Sequence, residues 1–133
     1  MKTYRNLYKK ICSIENLELA FKKARKGKAK MSYVKEFESN LEQELQKLHK
    51  ELSEFTYNPR QLKRFIVREP KTRVIHSSDF MDRVVYHAVV NILEPIFEKI
   101  FIYDSYASRK NKGTHKAVER LEKFIRKVSR NGN

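Results

Sequence analysis

The sequence predicts an α+β fold, mostly helical, with one β-hairpin. Apolar residues recur at helical spacing, most clearly Phe37, Leu41, Leu45, Leu48, Leu52 and Phe55, which are 4, 4, 3, 4 and 3 residues apart. Two β-prone runs, 62–68 and 73–76, flank a Pro-containing turn at 69–72. Between these stretches, Gly27, Asn58-Pro59 and Gly113 supply the breaks that separate one element from the next.

In chain order, Ser13 is placed to cap a first helix. Glu15 and Glu18 lie at its positive end, Ile14, Leu17, Phe21 and Ala24 form its apolar face, and Gly27 is its stop. A basic run, 22–30, forms the turn after it. Ser32 is the expected cap of a second helix, which carries the 37–55 stripe and a wet face of Glu and Lys. Asn58-Pro59 ends that helix, and the hairpin follows with Pro70 in its turn, where a missing N–H does no harm. Ser78 or Asp79 caps a third helix over 79–93. It is apolar on most sides, the pattern of a buried helix. Pro95 then starts a short segment, a turn-rich loop runs from Tyr103 to Gly113, and Thr114 caps a last helix. That helix has Ala117, Leu121, Phe124 or Ile125, and Val128 on one face and basic residues around the rest. Asn131-Gly132 reads as a tight turn leading into a further strand, so the chain is expected to be cut from a longer protein.

The 133 residues carry 35 % charged and 40 % hydrophobic side chains, enough for a thin core. No window offers the roughly 18 apolar residues of a membrane span, and the N-terminus lacks a secretory apolar run. One cysteine, Cys12, cannot form an internal disulfide, and a cytoplasmic setting is expected. Cys12 is best read as a small buried residue. One Cys and four scattered His give no zinc-site spacing.

The formal net charge of +14 is unevenly distributed. Residues 1–30, 59–78 and 105–133 carry +8, +5 and +7, while 31–58 and 79–104 each carry −3. Concentrated positive charge is the footprint of a polyanion partner, because each neutralised phosphate releases counterions. A nucleic acid fits better than a membrane surface, since no basic block pairs with an apolar face bearing Trp anchors.

Motifs of enzymatic chemistry are few. Asp79 and Asp82 lie three apart and could hold a divalent ion, but carboxylates in a first helical turn more often cap its N–H groups. No phosphate-binding Gly-rich loop, nucleophile elbow or His-Glu-x-x-His pair occurs.

From residue 57 on, the strings Tyr57-Asn-Pro, Phe65-Ile-Val-Arg-Glu-Pro-Lys-Thr-Arg73-Val-Ile, Asp82-Arg83-Val-Val-Tyr-His-Ala-Val-Val-Asn-Ile-Leu-Glu-Pro-Ile-Phe97 and Phe101-Ile-Tyr-Asp-Ser-Tyr-Ala-Ser-Arg109-Lys-Asn-Lys-Gly113 stand in a definite order. In these strings the chain resembles the fingers region of bacterial reverse transcriptases of the group II intron and retron type. The resemblance implies a fingers subdomain of a right-hand polymerase over 57–133, preceded by a helical N-terminal extension over 1–56.

It implies that Arg73 and either Arg68 or Lys71 in its place, all on the hairpin, meet the triphosphate of an incoming dNTP. It further implies that Arg109, Lys110, Lys112, Tyr106 and Gly113 lie along the RNA template, and that Arg83 braces the hairpin. Tyr106 is suited to stack on a base, or equally to pack within the loop. The partners implied are an RNA template, an RNA/DNA duplex, a dNTP and the polymerase palm. The magnesium ions of such an enzyme sit on palm carboxylates beyond this chain, so no cofactor is expected here. The chain itself is expected to bind and position rather than polymerise. Two alternatives are a free-standing basic RNA-binding protein and a helical adaptor that uses the 37–55 stripe.

Overall fold

The computed structural model describes residues 3–130. It holds six helices and one hairpin among those residues: α1 (Leu7–Cys12), α2 (Ile14–Arg25), α3 (Ser32–Ser39), α4 (Leu41–Ser53), β1 (Lys63–Val67), β2 (Arg73–Ser77), α5 (Phe80–Phe97) and α6 (Thr114–Val128). The expected Asn131-Gly132 turn lies outside the described residues. The chain divides into two compact units, Met1–Ile96 and Phe97–Asn133.

The core of the first unit is formed by α1, α2, α3, α4 and α5. Leu17, Val34, Leu48 and Val84 are completely buried there, packed with Phe21, Phe37 and Phe80. Phe80 meets Phe37 edge-on at 5.3 Å and Phe21 at 6.2 Å, arrangements in which a positive ring edge faces a negative ring face. The core therefore draws on residues from both sides of the expected 56/57 boundary. A second tie is polar. Asn16 on α2 donates from Nδ2 to the carbonyls of Ile11 and Ala88, each at 3.0 Å, and Asn91 donates to its Oδ1 at 3.0 Å.

Local capping follows the sequence in part. The Ser13 hydroxyl accepts from the Asn16 N–H at 3.4 Å, and Gly27, with φ of 75°, takes the left-handed conformation that terminates α2 cleanly. Ser32 does not cap; it is the first residue of α3, which starts from Met31 without a side-chain cap. The expected 32–55 helix is also broken at Asn40 (φ −119°, ψ 29°) into α3 and α4. Phe37 and Leu45, on either side of the break, both face the core. Phe55 ends the stripe outside it, 78 % exposed with φ of 57°, and its ring stacks on Tyr8 at 4.9 Å. A short helix, α1, was not legible in the apolar spacing. It is tied down by the Tyr8 hydroxyl donating to the Leu52 carbonyl at 2.6 Å and by contact of His49 Nδ1 with the Cys12 carbonyl at 2.7 Å. Cys12 is buried as expected, and burial raises its thiol pKa.

The third helix departs from expectation in two ways. It runs through Pro95 to Phe97, the ring removing one N–H from its last turn. It is also buried on one side only: Val84, Val85 and Ala88 face the core while Tyr86 and Val90 are exposed. The reason is that packing partners lie on that one side of the helix.

β1 and β2 pair antiparallel, Lys63 opposite Ser77 through Val67 opposite Arg73. The ribbon is exposed along nearly all its length, Phe65, Ile66 and Val74 included. In the second unit, α6 has no buried residue, and its apolar face of Leu121, Phe124, Ile125 and Val128 is exposed. No helix among the described residues is long and apolar enough to cross a membrane.

Candidate nucleic-acid interface

The hairpin stands on a network at its base. Asp82, in the first turn of α5, is 1 % exposed. Its carboxylate accepts the Tyr57 hydroxyl and the Arg60 backbone N–H, the latter at 3.2 Å to Oδ2. Asp82 thus anchors the segment entering β1 rather than capping its own helix. Asp79 does cap, accepting the Met81 N–H at 3.1 Å, and pairs with Arg60 at 3.1 Å. Burial, and then the Asp82 carboxylate, push the Tyr57 phenol well above its ordinary pKa, so it remains a donor. Arg83 closes the other strand: its guanidinium donates to the Ser77 hydroxyl at 2.7 Å and to the Ser78 carbonyl at 3.0 and 3.1 Å. This is the bracing expected of it.

Pleating sorts the ribbon. Opposed residues share a face, so Phe65, Val67, Arg73 and Ile75 project to one side and Arg64, Ile66, Val74 and His76 to the other. Arg68 and Lys71 belong to the connection at the tip. The side chains of Arg68, Lys71 and Arg73 are exposed and make no hydrogen bond or ion pair with any described residue. Their cationic groups are open to an anion.

The loop of the second unit is organised differently. The Arg109 side chain is 10 % exposed. Its Nε donates to both oxygens of Glu98 at 3.0 Å, its Nη1 to the carbonyls of Ile102 and Ser105 at 3.0 and 3.1 Å, and it lies 5.3 Å over the Phe101 ring. The residue expected on the template is thus directed inward and shapes the loop.

Lys112 donates to the Tyr103 carbonyl and sits 4.4 and 4.8 Å over the rings of Tyr103 and Tyr106. Arg120 pairs with Asp104 at 2.8 Å and lies over Tyr103 and Phe124. The hydrogen bond from Arg120 holds the Asp104 carboxyl below its ordinary pKa, even though Asp104 is on the surface. Lys110 is exposed and makes no side-chain contact of this kind. Gly113, with φ of 120°, is the N-cap of α6, a conformation side chains rarely adopt.

Sequence reasoning missed Tyr103 and Arg120 as members of this cluster. Their spacing of 17 along the chain carries no local signal; the loop has to fold back first. The cluster nevertheless surrounds a shallow cleft of about 200 Å³ lined by Tyr103, Tyr106, Lys112, Lys116, Arg120 and Lys123. Aromatic faces interleaved with cations are the elements from which single-stranded nucleic acid sites are made.

Among the described residues, no group of three or more His, Cys, Asp or Glu side chains is placed to hold a metal ion. Compared with known proteins, the chain matches no family model and no curated protein.

Proposed function

We propose that this chain is the template- and dNTP-positioning fingers portion of an RNA-directed DNA polymerase. The observation that carries this reading is the exposed hairpin with Arg68, Lys71 and Arg73, none of which has a partner among the described residues. Three unpaired cations at the distal end of a ribbon braced by Asp82 and Arg83 suit a polyphosphate, whose oxygens gain charge during phosphoryl transfer. The second unit supplies the strand-binding elements: Tyr103 and Tyr106 as stacking faces, Lys110, Lys112, Lys116 and Lys123 for phosphates, and Arg109 as the pin that holds the loop in shape. In this reading the catalytic metal chemistry belongs to carboxylates of the parent enzyme, and this chain binds and positions.

The test is a titration of the chain with a labelled RNA oligonucleotide across salt concentrations, repeated with a dNTP as competitor. Affinity should fall with salt, with a log–log slope of about −0.7 per phosphate contacted. The dNTP should bind the wild-type chain and lose affinity in the Arg68→Ala/Arg73→Ala double variant, which keeps most of its RNA binding. Salt-independent affinity would remove nucleic acid altogether. RNA binding with no hairpin-dependent dNTP binding would instead identify a free-standing basic RNA-binding protein.

A further inference from the structure

The two faces of the hairpin are not alike. On one, Ile75 and Ser77 are partly covered. On the other, Arg64, Ile66, Val74 and His76 are all exposed. There Arg64 stands opposite His76 and Ile66 opposite Val74. A guanidinium and an imidazole thus lie side by side near the root, with two branched apolar side chains beyond them toward the tip. The side chains of Arg64 and His76 make no hydrogen bond or ion pair with any described residue. No acidic residue lies on this face, and residues 59–78 carry a net charge of +5. Charge complementarity calls for an anionic partner, since a second copy of the ribbon would meet the face with like charge.

Shape narrows the choice among polyanions. The ribbon is two strands wide, about 5 Å from strand to strand, and its paired length is about 13 Å. The major groove of B-form DNA, about 12 Å wide, admits a two-stranded ribbon of this kind, whereas that of A-form RNA is too deep and narrow for side chains to read. A single strand suits the face less well. It has no Phe, Tyr or Trp on which a base would stack, and the ribbon's one phenyl ring, Phe65, lies on the other side. The residues present match the edges that bases show in the major groove. Arg64 can donate in parallel to guanine N7 and O6, His76 offers a further ring nitrogen beside it, and Ile66 and Val74 suit the thymine methyl group. Asp82, Tyr57, Arg60 and Arg83 hold the root of the ribbon, so these side chains are carried on a braced element. We propose that the hairpin inserts this face into the major groove of double-stranded DNA. Arg73 projects from the opposite face and Arg68 and Lys71 belong to the tip, so the proposal does not rest on the polymerase reading.

The test is fluorescence anisotropy of the whole chain with a short labelled duplex of mixed sequence, prepared as DNA, as RNA and as an RNA/DNA hybrid, at one salt concentration. The DNA duplex should bind roughly tenfold or more tighter than either A-form duplex, the discrimination that one good bidentate base contact provides. Replacing guanine by 7-deazaguanine removes the N7 acceptor and keeps base pairing, and should weaken binding several-fold. The Arg64→Ala/His76→Ala double variant, changed only at exposed positions, should bind the DNA more weakly and no longer sense 7-deazaguanine. The Arg68→Ala/Arg73→Ala variant should remain sensitive to it. Equal affinity for DNA and RNA duplexes would overturn the proposal and leave phosphate attraction alone. Tighter binding of the matching single strand than of the duplex, or a wild-type chain indifferent to 7-deazaguanine, would overturn it too. Failure of the chain to bind a dNTP would count against the polymerase reading and leave these comparisons unchanged.

Discussion

Asp82 and Tyr57, 25 residues apart, share a hydrogen bond in which the Tyr57 hydroxyl donates to a carboxylate that is 1 % exposed. The bond joins the chain just before the hairpin to the helix just after it, and so sets where the ribbon leaves the core. A hydrogen bond to a buried charge contributes more than a neutral one. Tyr57→Phe should cost about 1.5–3 kcal/mol of stability in urea unfolding. Combined with Asp82→Asn, the losses should be non-additive by about 0.5–3 kcal/mol. Simple additivity would show that the two side chains act independently.

Asn16 makes three polar contacts in a buried setting, two of them joining α2 to α5. Asn16→Ala leaves Asn91 and two carbonyls short of a partner. The expected loss is about 1–3 kcal/mol, read from the midpoint of chemical denaturation at unchanged slope. A variant as stable as the wild type would remove Asn16 from the architecture.

His87 lies on α5, and burial first, then the charges of Lys23 and Lys28, lower its pKa below the ordinary 6.5. The folded state therefore binds its proton less readily than the unfolded state. Its contribution to stability is fully present above about pH 6.5 and is lost as pH falls through the lowered folded value. His87→Gln should remove this part of the acid sensitivity, so wild type and variant should differ in slope below pH 6.5 and run parallel above it. Parallel curves throughout would contradict the assignment.

Arg109 holds the loop before α6 through Glu98, Ile102 and Ser105. Arg109→Ala should release it, with amide hydrogen exchange over 101–112 faster by roughly tenfold or more, the loss of at least one hydrogen bond to a charged group. Lys110→Ala should leave exchange unchanged while weakening RNA binding. Equal protection in both variants would mean that Arg109 does not pin the loop.

Much of the local structure was legible in the sequence because its causes are local. Ser13 as a cap, Gly27 as a stop, the β-prone runs around Pro70 and the period of Leu45, Leu48 and Leu52 all act within a few residues. The concentration of cations on 59–78 and 105–133 is likewise a property of composition alone. Tertiary structure decided what those cations do. Arg109 turned inward because Glu98 and two carbonyls converge on it, whereas Arg68, Lys71 and Arg73 stayed open because the ribbon projects beyond the core. It also decided the role of Asp82, whose partners Tyr57 and Arg60 approach from a distant segment. Spacing along a chain encodes which face a residue takes on its own helix or strand. It does not encode which groups from elsewhere arrive at that face, and those arrivals settle whether a charge is paired, buried or open to a ligand.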